Sequence, residues 1–280
     1  MKNKETAGDS FPFLKFNELP EKPRFRGVTE IRGPYYTPMG KSYLQDILET
    51  MGEYVDALKF AGGSFTLMPR KAVKDIIDLC HCYNVRVSTG GFIERVLTLG
   101  ANAVDRYIDQ CKALEFDIVE ISSGFITIPE DDWLRLVDRV QKAGLKAKPE
   151  VGIQFGAGGA SRPEELEAEG TRDAGMAIKQ AKRFLDAGAY MIMIESEGIT
   201  ENVKTWRTDV PARIVNEIGL EKVMFEAAEP EVFSWYIKNY GPEVNLFIDH
   251  SQIVQLQCLR SGIWGTKDLW GRVVTYKVQD

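Results

Sequence analysis

The chain has 280 residues, of which 44% are hydrophobic, and a formal net charge of −6. This length can bury one full hydrophobic core, and the acidic balance argues against a nucleic-acid binder, which needs a basic face for phosphate contacts. The first ten residues lack the apolar core of a signal peptide, and no segment approaches the ~20 apolar residues of a membrane span. We therefore expect a cytoplasmic protein that binds neither nucleic acid nor membrane.

Eight short apolar runs recur along the chain, and a helix-patterned stretch follows each of them. The runs begin at Val28, Val55, Val85, Ile118, Ala147, Met191, Val223 and Asn245. Their spacing of roughly 20 to 45 residues leaves room for a strand and a crossover helix in each repeat. The pattern predicts one α/β domain, a (β/α)8 TIM barrel over residues 21–280, preceded by an N-terminal arm over residues 1–20.

Helices and loops follow from local signals. Leu44, Ile47, Leu48 and Met51 recur with helical spacing, which gives one apolar face for the barrel wall. Proline favours the start of a helix, so Pro69 and Pro129 predict where the second and fourth helices begin. The segment over residues 156–170 is the longest irregular connection and follows the fifth strand, where we expect either a lid or a mobile insertion.

Strand parity places an unusual number of charged side chains toward the barrel axis or its mouth. These polar residues are Glu30, Arg32, Lys59, Glu120, Ser122, Lys146, Lys148, Glu150, Glu195 and Glu226, together with either Asp249 or His250. They could pair as a buried ion network. The carboxylates outnumber the basic groups, however, and this surplus suits a hard divalent cation, so we expect Mg²⁺.

Seven short segments at the strand ends carry a family resemblance. They are LKFAGG at 58–63, STGG at 88–91, VEIS at 119–122, PEVG at 149–152, MFEA at 224–227, VNL at 244–246 and CLRSG at 258–262. In this order they resemble the phosphosulfolactate synthase family. The segments at 28–37, 143–150 and 245–253 are more similar still to the plant heat-stress-associated proteins of this superfamily, a branch with no established enzymatic role.

The resemblance implies a (β/α)8 barrel that adds sulfite to phosphoenolpyruvate with Mg²⁺, on the route to coenzyme M or sulfolactate. It carries functional roles to Lys59, Glu120, Glu150, Glu195, Glu226 and Arg260, and it suggests a homo-oligomer. The family's basic residues are absent at Ile153 and Gln154, in the segment 195–198, and at Ser261 and Trp264. We expect Arg32, Lys146 and Lys148 to compensate, because phosphate and sulfonate groups need cationic donors.

Each candidate residue receives a role in this chemistry. We predict Glu120, Glu150 and Glu195 as Mg²⁺ ligands, and either Lys148 or Lys59 as the acid that protonates C2 after sulfite attacks C3. Substrate contacts are assigned to Arg32, Lys146, Ser122, Glu226, Arg260 and Gly262. The last two residues, with Gly265, lie where barrels commonly bind phosphate.

Two other classes of function remain open at this point. Lys59 or Lys148 could form a Schiff base with a carbonyl substrate, as in an aldolase. The barrel could also be non-catalytic and act by binding a chaperone or another protein, as the heat-stress resemblance suggests.

Overall fold

The eight apolar runs form eight parallel strands that close into a barrel, with β8 paired to β1. The computed structural model describes residues 10–158, 161–263 and 272–275. The strands are β1 Thr29–Arg32, β2 Ala57–Lys59, β3 Arg86–Ser88, β4 Ile118–Ile121, β5 Lys146–Val151, β6 Ile192–Ile194, β7 Val223–Glu226 and β8 Leu246–Asp249. Their closure confirms the predicted (β/α)8 barrel.

Helices follow the strands and cover the outside of the barrel. They are α1 Lys41–Met51, α2 Arg70–Cys82, α3 Ile93–Leu97, α4 Ala101–Leu114, α5 Glu130–Lys142, α6 Pro163–Glu169, α7 Ala174–Asp186, α8 Asp209–Ile218, α9 Pro230–Tyr240 and α10 Ile253–Arg260. The predicted starts at Pro69 and Pro129 are confirmed, because α2 and α5 each begin at the next residue. No helix of these described ranges is long and apolar enough to cross a membrane.

The inside of the barrel is divided by polarity along its axis. An apolar cluster fills the part of the interior nearer the N-terminal ends of the strands. It consists of Val28, Met191, Met193, Met224 and Phe247. Unbranched methionine side chains adapt to irregular gaps and can fill the narrow interior. The charged side chains therefore lie above this cluster, toward the C-terminal ends of the strands, where barrel active sites are found.

The segment over residues 156–170 is not wholly irregular, as the sequence suggested, because it contains α6. Pro163 occupies the first turn of this helix, and Glu164 and Glu165 lie in the same turn. Proline pre-sets the helical φ angle, and acidic side chains interact favourably with the helix N-terminus. These signals start a helix although the residues just before it are rich in glycine.

The segment before β1 runs across the N-terminal end of the barrel without forming a strand or helix in its described part, residues 10–28. The Asn17 side chain donates hydrogen bonds to the carbonyl oxygens of Arg260 and Val273. This segment is thereby joined to the end of α10. The boundary of the arm at residue 20 stays a prediction, and residues 1–9 lie outside the described part of the chain.

Candidate active site

A cavity of about 340 Å³ opens at the C-terminal ends of the strands. We call it the mouth cavity. Its charged lining residues are Arg32, Lys59, Glu94, Arg95, Glu120, Glu150, Glu195 and Glu226. Most of them come from strand ends, which hold side chains more rigidly than loops do. The sequence prediction that several strands deliver charges to one mouth is therefore met by the geometry.

Three glutamates form a cluster on one side of the mouth cavity. Carboxylate oxygens of Glu150, Glu195 and Glu226 lie within 4.8 Å of one another. Burial, together with the neighbouring carboxylates, raises the pKa of Glu150 to about 8 and raises the pKa values of Glu195 and Glu226 above their usual range. Carboxylate oxygens that repel one another when no metal is bound are the ligands that a hard divalent cation prefers. The cluster fits Mg²⁺.

Glu120 lies outside this glutamate cluster, and its assignment as a Mg²⁺ ligand stays a prediction. Its Oε2 atom lies 2.9 Å from Lys59 Nζ and 3.0 Å from Lys148 Nζ. Burial alone would raise the pKa of Glu120, but the two ammonium groups lower it. Glu226, which the sequence assigned to substrate, is the third member of the cluster beside Glu150 and Glu195.

The two candidate catalytic lysines lie at different depths. Lys59 lines the mouth cavity, with Nζ 3.8 Å from the centre of the Phe247 ring. Burial would lower the pKa of Lys59, but the neighbouring carboxylates, Glu120 foremost, raise it. Lys148 is 1% exposed and forms ion pairs with Glu30 and Glu120 below the cavity floor. Lys148 is not among the described residues that line the mouth cavity, and its assignment as the catalytic acid stays a prediction.

Arg32 extends from the end of β1 into the mouth, next to the glutamate cluster. Its guanidinium lies 3.4 Å from Glu226 Oε1 and 4.0 Å from Asp249 Oδ2, and it stacks over the ring of Tyr36 at 4.9 Å. Arg32 pairs in register with Asp249, which settles the ambiguous parity of β8. The other candidate, His250, instead places Nδ1 3.1 Å from the Arg32 carbonyl oxygen and supports the strand from outside.

Ser122 is occupied by a carboxylate that sequence analysis missed. Its hydroxyl donates to Glu94 Oε1 at 2.6 Å, and the same carboxylate accepts from the backbone N–H groups of Gly124 and Phe125. Glu94 thus holds the loop after β4 in place, and Ser122 both lines the mouth and contributes a hydrogen bond to Glu94. The sequence signal for Glu94 was the Gly90–Gly91 pair after β3. A tight turn there keeps the first residues of the next helix, including Glu94, at the mouth.

Glu197 was also missed, and it fixes the glycine-rich segment after β5. It is fully buried, and its carboxylate accepts from the backbone N–H groups of Gly158 and Ser161 and from the Asn202 amide. A buried carboxylate with several donors holds a loop firmly. The described part of the segment is therefore anchored beside the mouth.

Three predicted substrate residues lie at the opposite end of the barrel. Lys146 is exposed and pairs in register with Ile118 at the first residues of their strands, so it points away from the mouth. Arg260 is fully buried and donates to the carbonyl oxygens of Gly27 and Val244, which precede β1 and β8.

Gly262 lies two residues beyond α10, beside Asn17 and Val273. The reason is that α10 runs from the mouth back to the N-terminal end of the strands, so residues at its C-terminus cannot bind a ligand at the mouth. The assignments of Lys146, Arg260 and Gly262 to substrate are corrected accordingly. Gly265 and Trp264 lie outside the described residues.

Comparison with known proteins finds similar folds and similar sequences. The carboxyl transferase domain of Rhizobium etli pyruvate carboxylase matches with a TM-score of 0.55 and 10% identity, over 81% of this chain and 40% of that chain, which shows the fold alone. Protein HEAT-STRESS-ASSOCIATED 32 of Arabidopsis thaliana is 40% identical over 258 residues, which are 89% of this chain and 90% of that protein.

Phosphosulfolactate synthases are similar over the same length. The enzyme of Methanocaldococcus jannaschii is 28% identical over 89% of this chain and 95% of its own length, and that of Methanothermobacter thermautotrophicus is 26% identical over 90% and 94%. The family model described as (2R)-phospho-3-sulfolactate synthase (ComA) matches residues 17–266. The chain therefore belongs to the (2R)-phospho-3-sulfolactate synthase family.

Proposed function

We propose that this protein adds sulfite to phosphoenolpyruvate and releases phosphosulfolactate, as a lyase that forms a carbon–sulfur bond. The observation that carries the proposal is the cluster of Glu150, Glu195 and Glu226 facing Lys59 and Arg32 in one mouth cavity. Membership of the family supports the same reaction. Three carboxylates for a cation and two cationic side chains for anions match what these two substrates require.

The three clustered glutamates would hold Mg²⁺. When bound there, the ion acts as a Lewis acid that accepts the negative charge developing on the substrate carboxylate. Buried carboxylates that repel one another are stabilised by any added positive charge, whether a proton or a metal ion. The repulsion that raises the pKa values of Glu150 and Glu195 would therefore also favour a bound cation. The strand ends fix these side chains in place before the substrate arrives.

Lys59 and Arg32 would act on the substrate itself. Sulfite sulfur bonds to C3 of phosphoenolpyruvate, the electron pair of the double bond moves to C2 and the carboxylate, and C2 then takes a proton. Lys59 carries the one ammonium group in the described lining of the mouth cavity, whereas guanidinium groups do not release protons near neutral pH. We therefore assign proton delivery to Lys59, and anion binding to Arg32 with Arg95.

The test is to supply phosphoenolpyruvate, sulfite and Mg²⁺ together and to follow phosphosulfolactate by phosphorus NMR and mass spectrometry. Glu195→Gln should lower turnover at least ~100-fold with the fold retained, because metal ligands rarely tolerate neutral replacement. Lys59→Met should lower it by roughly 10²- to 10⁴-fold. Lys142→Met, which removes an exposed lysine of α5, is the matched control. A folded wild-type protein that forms no product would refute the proposal.

The non-catalytic alternative has one specific observation in its favour, the 40% identity to the plant heat-stress protein. A protein that binds neither Mg²⁺ nor phosphoenolpyruvate would point to it. The Schiff-base alternative also uses Lys59, which would attack a carbonyl carbon after losing its proton. Borohydride trapping with pyruvate tests that alternative directly. The cytoplasmic location, the absence of nucleic-acid and membrane partners, and the homo-oligomer stay predictions.

A further inference from the structure

A second cavity of about 590 Å³ lies beside the mouth, and we call it the side cavity. It lies between the loop that follows β4 and the segment that follows β5. Phe125, Glu150 and Glu195 line both cavities, so the two spaces share a wall at the glutamate cluster. The larger apolar side chains that line the side cavity are Phe125, Ile126, Ile128, Trp133, Phe155 and Met176.

The loops that form this shared wall are in close contact, and glycine permits that contact. A methyl group placed on Gly124 would lie 1.7 Å from the Ala157 carbonyl oxygen, and one on Gly158 would lie 1.9 Å from the Phe125 ring. Any larger residue would push the loops apart. The two loops are thus tightly packed against each other at this wall, with Glu94 and Glu197 fixing the loop on each side.

Arg172 is the one cation in the described lining of the side cavity. Its guanidinium lies 4.9 Å from the centre of the Phe155 ring, and its Nε atom is buried without a hydrogen-bond partner. Among the described residues, no carboxylate lies within ion-pair distance of it. A partly buried cation with unmet hydrogen-bonding capacity favours an anion beside it.

We propose that the side cavity binds an organic anion with an apolar body. Arg172 holds the sulfonate, carboxylate or phosphate group, and the rings of Phe125 and Phe155 contact the body. Neither phosphoenolpyruvate nor sulfite has an apolar body that would use such a lining, and a cavity of this size suits a larger ligand. The ligand's anionic end lies at Arg172, because this is the one cation in the described lining of the side cavity.

The consequence is a binding site next to the glutamate cluster for acids larger than a three-carbon enol phosphate. The inference does not depend on the synthase reaction, because it concerns binding and is tested without turnover. Failure of the proposed reaction and failure of this site therefore give separate results.

The test uses isothermal titration with benzenesulfonate in buffer containing Mg²⁺. Methanesulfonate, which lacks the ring, should bind more weakly, and benzylammonium, which reverses the charge, should not bind. Arg172→Gln should weaken benzenesulfonate binding by roughly 10- to 100-fold, the range for losing hydrogen bonds to a charged group. Arg135→Gln, which removes an exposed arginine of α5 outside the cavity, should leave the affinity unchanged.

Two further variants keep the test decisive if Arg172→Gln alters the fold. Phe155→Leu should weaken benzenesulfonate but not methanesulfonate, and Arg172→Glu should make the protein prefer benzylammonium. Thermal melting checks each variant. The proposal is overturned by a wild-type protein that does not bind benzenesulfonate at about 10 mM, by equal affinity in wild type and a folded Arg172→Gln, or by a wild-type preference for benzylammonium.

Discussion

Lys148 is held between two carboxylates in the barrel interior, where water cannot screen any of the charges. Lys148→Met would leave Glu30 and Glu120 without this shared cation. Removing one partner of a buried ion pair commonly costs about 3–5 kcal/mol, so we expect a loss of that order in the free energy of unfolding at neutral pH. Urea denaturation followed by circular dichroism measures it.

The double variant Lys148→Met/Glu30→Gln is the control for this prediction. It removes one positive and one negative charge together, and it should recover part of the stability that Lys148→Met loses. A single variant that is as stable as the wild type would mean that Lys148 does not balance these carboxylates.

We expect Glu150 to make the stability of the metal-free protein sensitive to pH. Its pKa is raised to about 8, whereas a glutamate in the unfolded chain titrates near 4.3, so the folded state retains a proton over this interval. The stability from this group is present at low pH and is lost as the pH rises toward about 8, by up to ~1.4 kcal/mol per pH unit for one proton.

Glu150→Gln should therefore reduce the loss of stability between about pH 6 and about pH 8. Urea unfolding in EDTA at both pH values compares the variant with the wild type. Excess Mg²⁺ should protect the wild type at the higher pH, since it would replace the proton. Identical pH dependence in the two metal-free proteins would count against the raised pKa.

The sequence indicated whether a strand side chain points into the barrel, but not how far along the barrel axis it lies. Strand parity correctly turned Lys59, Lys148 and Glu150 inward. It could not tell that Lys146, two residues before Lys148, emerges at the far end, because depth depends on how neighbouring strands are staggered. The same limit hid from the sequence that Glu120 lies beside Lys59 and Lys148, whereas Glu226 lies beside Glu150 and Glu195.

At the scale of elements, Glu197 ties the segment after β5 to the residues that follow β6. Glu197→Gln would remove the negative charge that several donors share, so we expect faster local opening of this segment with little change in global stability. Hydrogen exchange at the amides of Gly158 and Ser161 should accelerate. Glu164→Gln, on the exposed face of α6, is the matched control, and equal protection in both variants would contradict the anchor.

Helix direction explains the largest sequence error at this scale. The motif at 258–262 resembles a family signature, and it follows β8 along the chain, which suggested a phosphate site. Every helix of this barrel that follows a strand returns toward the N-terminal end of the sheet, so the last turn of α10 is far from the mouth. The periodicity of the sequence locates such a helix, but its neighbours decide which groups its end will meet.

For the whole molecule, Arg260 joins the last helix to the seam where the barrel closes. It bonds Gly27, Thr29 and Val244 around the pairing of β1 with β8. Arg260→Met would leave three buried acceptors without their charged donor, and we expect a loss of about 3 kcal/mol or more in the free energy of unfolding. The KM for phosphoenolpyruvate should not change. A raised KM with unchanged stability would restore Arg260 as a substrate ligand.

The location of Glu150, Glu195 and Glu226 at strand ends, with Arg172 beyond α6 in a connecting segment, has a consequence for divergence among relatives. Insertions and substitutions accumulate most readily in connections, whereas the barrel strands constrain one another through packing. A substitution at Arg172 can therefore change the ligand preference of the side cavity while the three carboxylates stay in place. One barrel can therefore keep the same reaction chemistry at its strand ends and still bind different ligands in its loops.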